Sequence, residues 1–519
     1  MSIIVSQATR SLVIPRNGIT VPMFPAAHAI THLNEDKLVV PHETREFILL
    51  RNVGYNVPNP ILSYYNFPHP ADQPPFGVQK ATCAMLTSNT HAYVLNDMGT
   101  GKTRAALWAW DYLHGNACAG KLLIVAPLST LSFVWMHEIF ATLPHRKAVV
   151  LHGTRKRRLE RLADTDADIY IVNHDGLGIV APEIMNRPDI GALVIDELAV
   201  YRNNSQRSKL MRKFVQKFEW VWGMTGRPMP NEPTDVWAQC KIITPHTVPK
   251  FRKHAEDTLM YRINQYTTKP KPNAVETAYS WMQPSVRYCL DDVVELPDCI
   301  ERTIDVDLSP EQLQTYSKVL HELRVLIRDQ VVTAANAGAA MSKLLQIGCG
   351  WVYSKQPEFA TLDAEPRIQA LVDLIESADR KVIVYVPFRH AIEGVSQKLT
   401  EAGIDHAMVH GGTVDRDNIF NLFQNTTKYK VLLAHPQCVS HGLTLTAADT
   451  TIWYCPITSL ETYEQANARI RRVGQKHKQQ FLHLQATPVE KKLYALLRSK
   501  QKIQDKLLAM FEEQTAGGL

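Results

Sequence analysis

Asn96-Asp97-Met98-Gly99-Thr100-Gly101-Lys102-Thr103 is the stretch of this 519-residue chain whose residue types and spacing suit the capture of a triphosphate. Missing side chains at Gly99 and Gly101 let backbone N–H groups wrap phosphate oxygens. Met98 to Thr103 is the expected nucleotide cradle. Within it, Lys102 would reach the β- and γ-phosphates as a point charge, and the Thr103 hydroxyl would ligate Mg²⁺. The strict glycine-rich pattern has glycine where this chain has Asn96.

Hydrolysis of a bound triphosphate asks for two further groups. Leu193-Val-Ile-Asp196-Glu197 supplies an acid pair at the end of an apolar run. Asp196 would hold Mg²⁺, and Glu197 would polarise the attacking water. Without the phosphate loop, the same pair would read as solvated acids at a strand end. Positive charge for the γ-phosphate is offered far along the chain, by Gln465-Ala-Asn-Ala-Arg469-Ile-Arg471-Arg472-Val-Gly474-Gln475. Arg469 and Arg472 lie three apart, a spacing that predicts a shared helical face. Gln465, Arg469 and Arg472 therefore join Lys102, Asp196 and Glu197 as the expected catalytic set. Arginine fingers of this kind are worth roughly 10³–10⁵ in rate. An arginine cluster by itself is more often a solvated or phosphate-binding face.

These residues need strands and helices to position them. Ala92–Leu95, Lys121–Ala126, Asp168–Val172, Ala192–Ile195 and Trp220–Met224 are nearly continuous apolar runs, which suits a parallel sheet covered on both faces. A second series follows at Lys381–Val386, Lys430–Ala434, Thr450–Tyr454 and Gln480–Leu484. The fold class is thus α/β, with two parallel-sheet lobes in tandem, helical insertions and a small N-terminal accessory domain. The expected boundaries are 1–70 for the accessory domain, 71–249 for the first lobe and 250–364 for helical insertions and an inter-lobe linker. The second lobe, begun near 304–310, occupies 365–487, and a brace helix and tail fill 488–519. Short strand-like runs stand out at Lys37–Val40 and Glu46–Leu50, and a cap at Ser309-Pro310 precedes a helix over Glu311–Ile327.

The composition is that of an ordinary globular chain, with 45% hydrophobic and 21% charged residues and a net charge of +6. No apolar run approaches the roughly 18 residues of a membrane span, and no signal peptide opens the chain. Eight cysteines at 83, 118, 240, 289, 299, 349, 438 and 455 show no C-x-x-C spacing, so free thiols in a reducing cytoplasm are expected.

Taken in order, these segments resemble helicase superfamily two, and within it the Swi/Snf family of ATP-dependent DNA translocases. The resemblance runs from about Phe76 to Lys506. It rests on Leu123-Ile-Val-Ala-Pro127-Leu-Ser129 followed by Trp135 and Glu138, on Ile171-Val-Asn173-His174, and on Asp196-Glu197-Leu198-Ala199 followed by Arg202-Asn-Asn-Ser205. Met224-Thr-Gly-Arg-Pro-Met-Pro-Asn231, Val294-Glu-Leu-Pro297 and Gly442-Leu-Thr-Leu-Thr-Ala-Ala-Asp449 continue it. Arg469 to Gln475 matches Arg-x-x-Arg-x-Gly-Gln, its most specific signature. Departures are Ala199 for the usual histidine, Arg227 for a threonine and Thr444 for an asparagine. The first two put coupling efficiency in question more than hydrolysis. Length points to a short bacterial or bacteriophage member.

The resemblance implies that Gln79 reads the adenine, that Gly442 joins the nucleotide site, and that Ser129, Asn173, His410, Gly411 and Thr444 lie along a nucleic-acid backbone. It implies ATP and Mg²⁺ as ligands, and duplex or forked DNA as the partner. A monomer in the cytoplasm is expected, nucleoid-associated or in the host if viral, with room for a recruiting replication or repair protein and no membrane. Arg155-Lys-Arg-Arg158 is a separate basic cluster, readable as a solvated helix face or as a DNA contact. Two functions stay open: a DNA-stimulated ATPase that translocates on, anneals or unwinds DNA, and a nucleotide-gated clamp or scaffold with a vestigial ATPase.

Overall fold

The computed structural model describes residues 3–32, 35–263, 268–293, 296–329, 334–353, 360–439 and 443–499. The chain divides into two compact units at Val293/Val294. The region expected as insertions and linker is therefore shared between them.

In the first unit a seven-stranded sheet runs in the order Ser285–Val286, His91–Val94, Trp220–Met224, Ile190–Asp196, Lys121–Ala126, Ile169–Asn173, Ala148–Val150. All of its pairings are parallel. Each strand feeds two cores. Leu123 and Val125 point into one, with Tyr170, Val172 and Leu193, while Leu122, Ile124 and Ala126 point into the other with Trp108 and Trp222. Burial on both faces is why these strands read as unbroken apolar runs. The five expected strands are all present. The two edge strands, Ala148–Val150 and Ser285–Val286, escaped the sequence reading because they are only three and two residues long.

The N-terminal segment forms a four-stranded antiparallel sheet, in the order Ile4–Ser6, Ser11–Pro15, Glu35–Pro41, His28–His32. Lys37–Val40 is strand as expected. Glu46–Leu50 is not: Thr44–Asn52 is a helix, and Phe47 and Leu50 seal the sheet's apolar face beside Leu12, Ile14, Leu38 and Val40. Thr44, Phe47 and Leu50 are buried at three-residue spacing, which puts them on one helical face. This segment is keyed to the helix Lys102–Gly115 by Trp108, whose indole donates to Pro68 O at 2.9 Å, and by Tyr65, whose hydroxyl donates to Asp111 Oδ2 at 2.7 Å.

The second unit carries a six-stranded, all-parallel sheet in the order Cys299–Asp305, Gln479–Gln485, Ala448–Trp453, Lys381–Tyr385, Val431–Ala434, His406–Val409. The helix begun at Pro310 is capped by Ser309, whose Oγ accepts from Gln312 N at 3.1 Å. The C-terminal helix, Pro488–Arg498, is anchored by a buried ion pair. Arg367 and Glu490 meet at 2.8 Å, Arg367 Nη1 donates to Tyr454 O at 2.6 Å, and Glu490 Oε2 accepts from Ala486 N and Thr487 N at 2.8 and 2.9 Å. Breaking one partner of such a pair costs about 3–5 kcal/mol, because the other charge stays buried. The described helix ends at Arg498, and the rest of the stretch expected to be helical, to Phe511, lies outside the described residues.

Candidate nucleotide site

The phosphate loop lies between the strand His91–Val94 and the helix Lys102–Gly115. Gly99 and Gly101 adopt φ of +85° and +77°. Such left-handed turns aim successive backbone N–H groups into one concavity, and the helix N-terminus adds its partial positive charge. Lys102 Nζ donates to Asn96 O at 2.7 Å and Asp97 O at 2.9 Å, so its ammonium sits over the loop rather than in solvent. Thr100 Oγ1 donates to Asp97 O at 2.8 Å.

Asn96 does not need to be glycine here, because its φ is not positive. Its buried amide is a tie instead: Nδ2 donates to Thr82 Oγ1 and Oδ1 accepts from Tyr288 N, both at 3.1 Å. Gln79 is buried, accepts from Phe76 N at 2.9 Å and donates to Gly101 O at 3.4 Å. A Cβ on Gly101 would stand 2.0 Å from Gln79 Nε2, so the glutamine packs directly on the loop.

Sheet register brings the acid pair to the same edge. Met224 is level with Val94 on one side and with Asp196 on the other, so the phosphate loop and the acids leave the sheet two strand spacings apart, about 10 Å. Between them pass Thr225 and Gly226, and a Cβ on Gly226 would lie 3.4 Å from Asn96 O and 3.7 Å from Lys102 Nζ. Ligands of open α/β sheets bind at this carboxyl end of the strands.

Asp196 Oδ2 accepts from the Trp135 indole at 3.1 Å, and Oδ1 from Glu197 N at 3.1 Å. Enclosure by protein pushes its carboxyl up to about 6, and the Glu197 charge adds to the rise. The Trp135 bond and the Lys102 charge oppose it. Trp135 is therefore an orienter of Asp196. Nothing local in the sequence signals this contact, which joins residues 61 positions apart. Glu197 takes a left-handed φ of +51°, unusual outside glycine, at the turn that ends the strand. The Thr103 hydroxyl and the Asp196 carboxylate are hard oxygen donors, which fit Mg²⁺.

The expected nucleic-acid positions differ in exposure. Ser129, Gly411 and Thr444 are exposed, whereas Asn173 and His410 are mostly buried. Asn173 Oδ1 accepts from Arg158 Nη1 at 3.0 Å, which turns its amide so that Nδ2 is the free end for donation. His410 Nδ1 accepts from Gly412 N at 3.0 Å. The basic cluster Arg155–Arg158 is split. Arg158 is buried and donates to Leu151 O and Gly153 O at 2.6 and 3.0 Å, while Arg155, Lys156 and Arg157 face solvent.

In the second unit, the expected shared helical face of Arg469 and Arg472 is not found. The helix is Leu460–Asn467, and both arginines follow it in turns. They converge by another route. Arg469 Nη1 and Arg472 Nη1 both donate to Leu443 O, at 3.0 and 2.9 Å, and Arg469 Nε donates to Gln465 O at 2.7 Å. Gln465 is buried at the end of that helix, with Nε2 on Glu461 Oε1 at 3.3 Å. Gly442 lies outside the described residues.

A glycine loop with lysine, joined across a parallel sheet to an Asp-Glu strand end, defines a nucleotide-binding α/β lobe of the helicase-like class. A family model for the SNF2-related domain matches residues 80–348, more than half of the chain, and one for a helicase conserved C-terminal domain matches residues 366–474. The chain belongs to the SNF2-related family of helicase-like ATPases. It is 25% identical over 438 residues to protein p41 of Acyrthosiphon pisum secondary endosymbiont phage 1, spanning 79% of this chain and 93% of that protein. An uncharacterized ATP-dependent helicase of Mycoplasma genitalium is 25% identical across 82% of this chain and 41% of its own length. The SWI2/SNF2 ATPase core of Sulfolobus solfataricus, solved in complex with dsDNA, is 20% identical over 87% of this chain and 96% of its own, with a TM-score of 0.39. The phage protein apart, the chain spans about two fifths of the length of the curated relatives it matches.

Among the described residues no helix is long and apolar enough to cross a membrane, and no group of three or more His, Cys, Asp and Glu side chains could hold a metal. All eight cysteines are free thiols.

Proposed function

We propose that the chain is an ATP-driven motor that moves along duplex or forked DNA, remodelling, annealing or unwinding it. The observation that carries this reading is the shared register of Val94 and Asp196 with Met224, which sets Lys102 and the Asp196–Glu197 pair on one edge of one sheet. In this reading Gln79 and Met98 to Thr103 hold ATP, and Thr103 and Asp196 hold Mg²⁺, which supplies charge neutralisation to the phosphates when bound. Glu197 orients and polarises the attacking water. Gln465, Arg469, Arg472 and Gly442 act on the nucleotide from the second unit, so that hydrolysis depends on closure. Ser129, Asn173, His410, Gly411 and Thr444 line the DNA track, where contacts to phosphate position the protein without reading bases.

The motor acts as a monomer in the cytoplasm, brought to its DNA by a replication or repair protein. Turnover measured with and without duplex DNA, beside Lys102→Ala and Glu197→Gln, tests the reading. Stimulated turnover abolished by either substitution supports it. Turnover that is absent, or indifferent to both, would leave a nucleotide-gated clamp.

A further inference from the structure

Asn96 and Asp97 open the phosphate loop, yet their side chains bond to residues outside it. The parallel ladder between His91–Val94 and Ser285–Val286 does not stop where the strands do. Tyr93 N donates to Pro284 O at 3.0 Å, Leu95 N to Val286 O at 2.8 Å, and Asp97 N to Tyr288 O at 2.9 Å. Side chains then take over. Tyr288 N donates to Asn96 Oδ1 at 3.1 Å, and Leu290 N donates to Asp97 Oδ2 at 3.3 Å. Asn96 also holds Thr82 on the helix Gly77–Thr87, through Nδ2. Tyr288 and Leu290 are thus hung on two consecutive residues of the phosphate loop, and Leu290 lies three residues before the chain leaves the first unit at Val293.

The same two residues also hold the lysine. Their carbonyls each accept a bond from Lys102 Nζ, at 2.7 and 2.9 Å. A phosphate that draws the ammonium toward itself takes it from Asn96 O and Asp97 O. Those peptide units then shift or repolarise, and the amide and carboxylate gripping Tyr288 and Leu290 belong to the same residues. Hydrogen bonds in a low-dielectric setting polarise one another, so a change at one end of such a chain is felt at the other.

The geometry points to Asn96 and Asp97 as positioning residues that convey nucleotide occupancy of the phosphate loop to residues 285–290, the segment leading to the second unit. This rests on the reading of the loop as an ATP site. It assigns work to a position, Asn96, that looked in the sequence like a defect in a glycine-rich pattern.

Amide hydrogen exchange of the full chain tests it, read on peptides covering 285–293 with and without the β,γ-imido analogue of ATP and Mg²⁺, at concentrations saturating for each variant. The analogue should slow exchange there by roughly three- to tenfold, the size of effect one or two ordered hydrogen bonds produce. Asp97→Ala should lose the slowing and Asp97→Asn, whose amide oxygen still accepts from Leu290 N, should restore it. Leu290→Pro deletes the donor from the other side without touching the loop, and should lose the slowing as well. In Leu290→Pro, which leaves the loop's own residues intact, the DNA stimulation of kcat should fall while KM for ATP stays near wild type. The proposal is overturned if wild type shows no slowing, or if Asp97→Ala and Leu290→Pro keep it. Absence of DNA-stimulated turnover in wild type would sink the motor reading alone, since the exchange measurement needs only nucleotide binding.

Discussion

Arg469 and Arg472 share one acceptor, the carbonyl oxygen of Leu443, which they approach at 3.0 and 2.9 Å. The return bond, Leu445 N to Arg469 O at 3.1 Å, locks the arginine turns and the 443–446 segment into one body. The two guanidinium groups differ in setting: Arg469 is fully buried and Arg472 is only half-buried.

That difference separates two variants. Arg472→Ala should lower the ATPase kcat on the order of 10³-fold with little change in stability. Arg469→Ala should lower kcat and also destabilise the second unit by about 1–3 kcal/mol, because Gln465 O loses its buried donor. Turnover beside urea midpoints distinguishes the two, and equal midpoints would contradict the burial argument.

The split of the basic cluster makes a second pair. Replacing Arg155, Lys156 and Arg157 together with Ala should leave the melting temperature within a degree or so, since surface changes are usually within about 0.5 kcal/mol. If that face touches DNA, log Kd against log salt should flatten by roughly one unit per lost contact. Arg158→Met should instead destabilise, and weaken DNA binding by freeing the Asn173 amide. Fluorescence anisotropy over a salt series and thermal melts measure both.

Gly101→Ala should abolish ATP binding in a folded protein. Its φ of +77° disfavours any side chain, and the added carbon would lie 2.0 Å from Gln79 Nε2. Gly77→Ala is the control, with open space at the added carbon and no unusual φ. Titration with a fluorescent ATP analogue should show binding lost in the first and kept in the second.

His483 sets a pH dependence. It is fully buried between Tyr463 Oη at 2.8 Å and Arg302 O at 3.3 Å, so Nδ1 carries the proton and Nε2 accepts from the tyrosine. Burial lowers its pKa from 6.5 to about 4. The unfolded chain therefore binds a proton between those values that the native state does not. Stability from this group is complete above pH 6.5, falls as pH drops toward 4, and levels off below, a loss on the order of 3 kcal/mol. His483→Gln should remove that part of the acid slope in urea melts run from pH 4 to 8. An unchanged slope would place the dependence elsewhere.

The central strands were legible because both faces of each are buried, so Lys121–Ala126 and Trp220–Met224 carry apolar side chains at consecutive positions and coincide with their expected bounds. The candidate phosphate loop and acid pair stand out in the sequence because the chemistry proposed for them needs particular residue types at fixed spacing within one turn of chain. Less visible were pairings of few residues. Ser285–Val286 has no pattern of its own and is a strand only because His91–Val94 offers it an edge. The helix Thr44–Asn52 was misread because a nine-residue amphipathic segment gives too few repeats to tell its period from a strand's.

Residue types and local spacing alone thus determined the α/β class and the order of the family's segments, and singled out the candidate nucleotide loop and acid pair. Tertiary structure decided what those groups touch: Trp135 on Asp196, Arg158 on Asn173, Asn96 and Asp97 on Tyr288 and Leu290, and two arginines on Leu443 O rather than on a helix face. The physical reason is range. A motif is written where a few adjacent residues must meet one ligand, whereas these bonds join residues 15 to 193 positions apart, and only the register of the sheets and the burial of the polar groups between them select the partner.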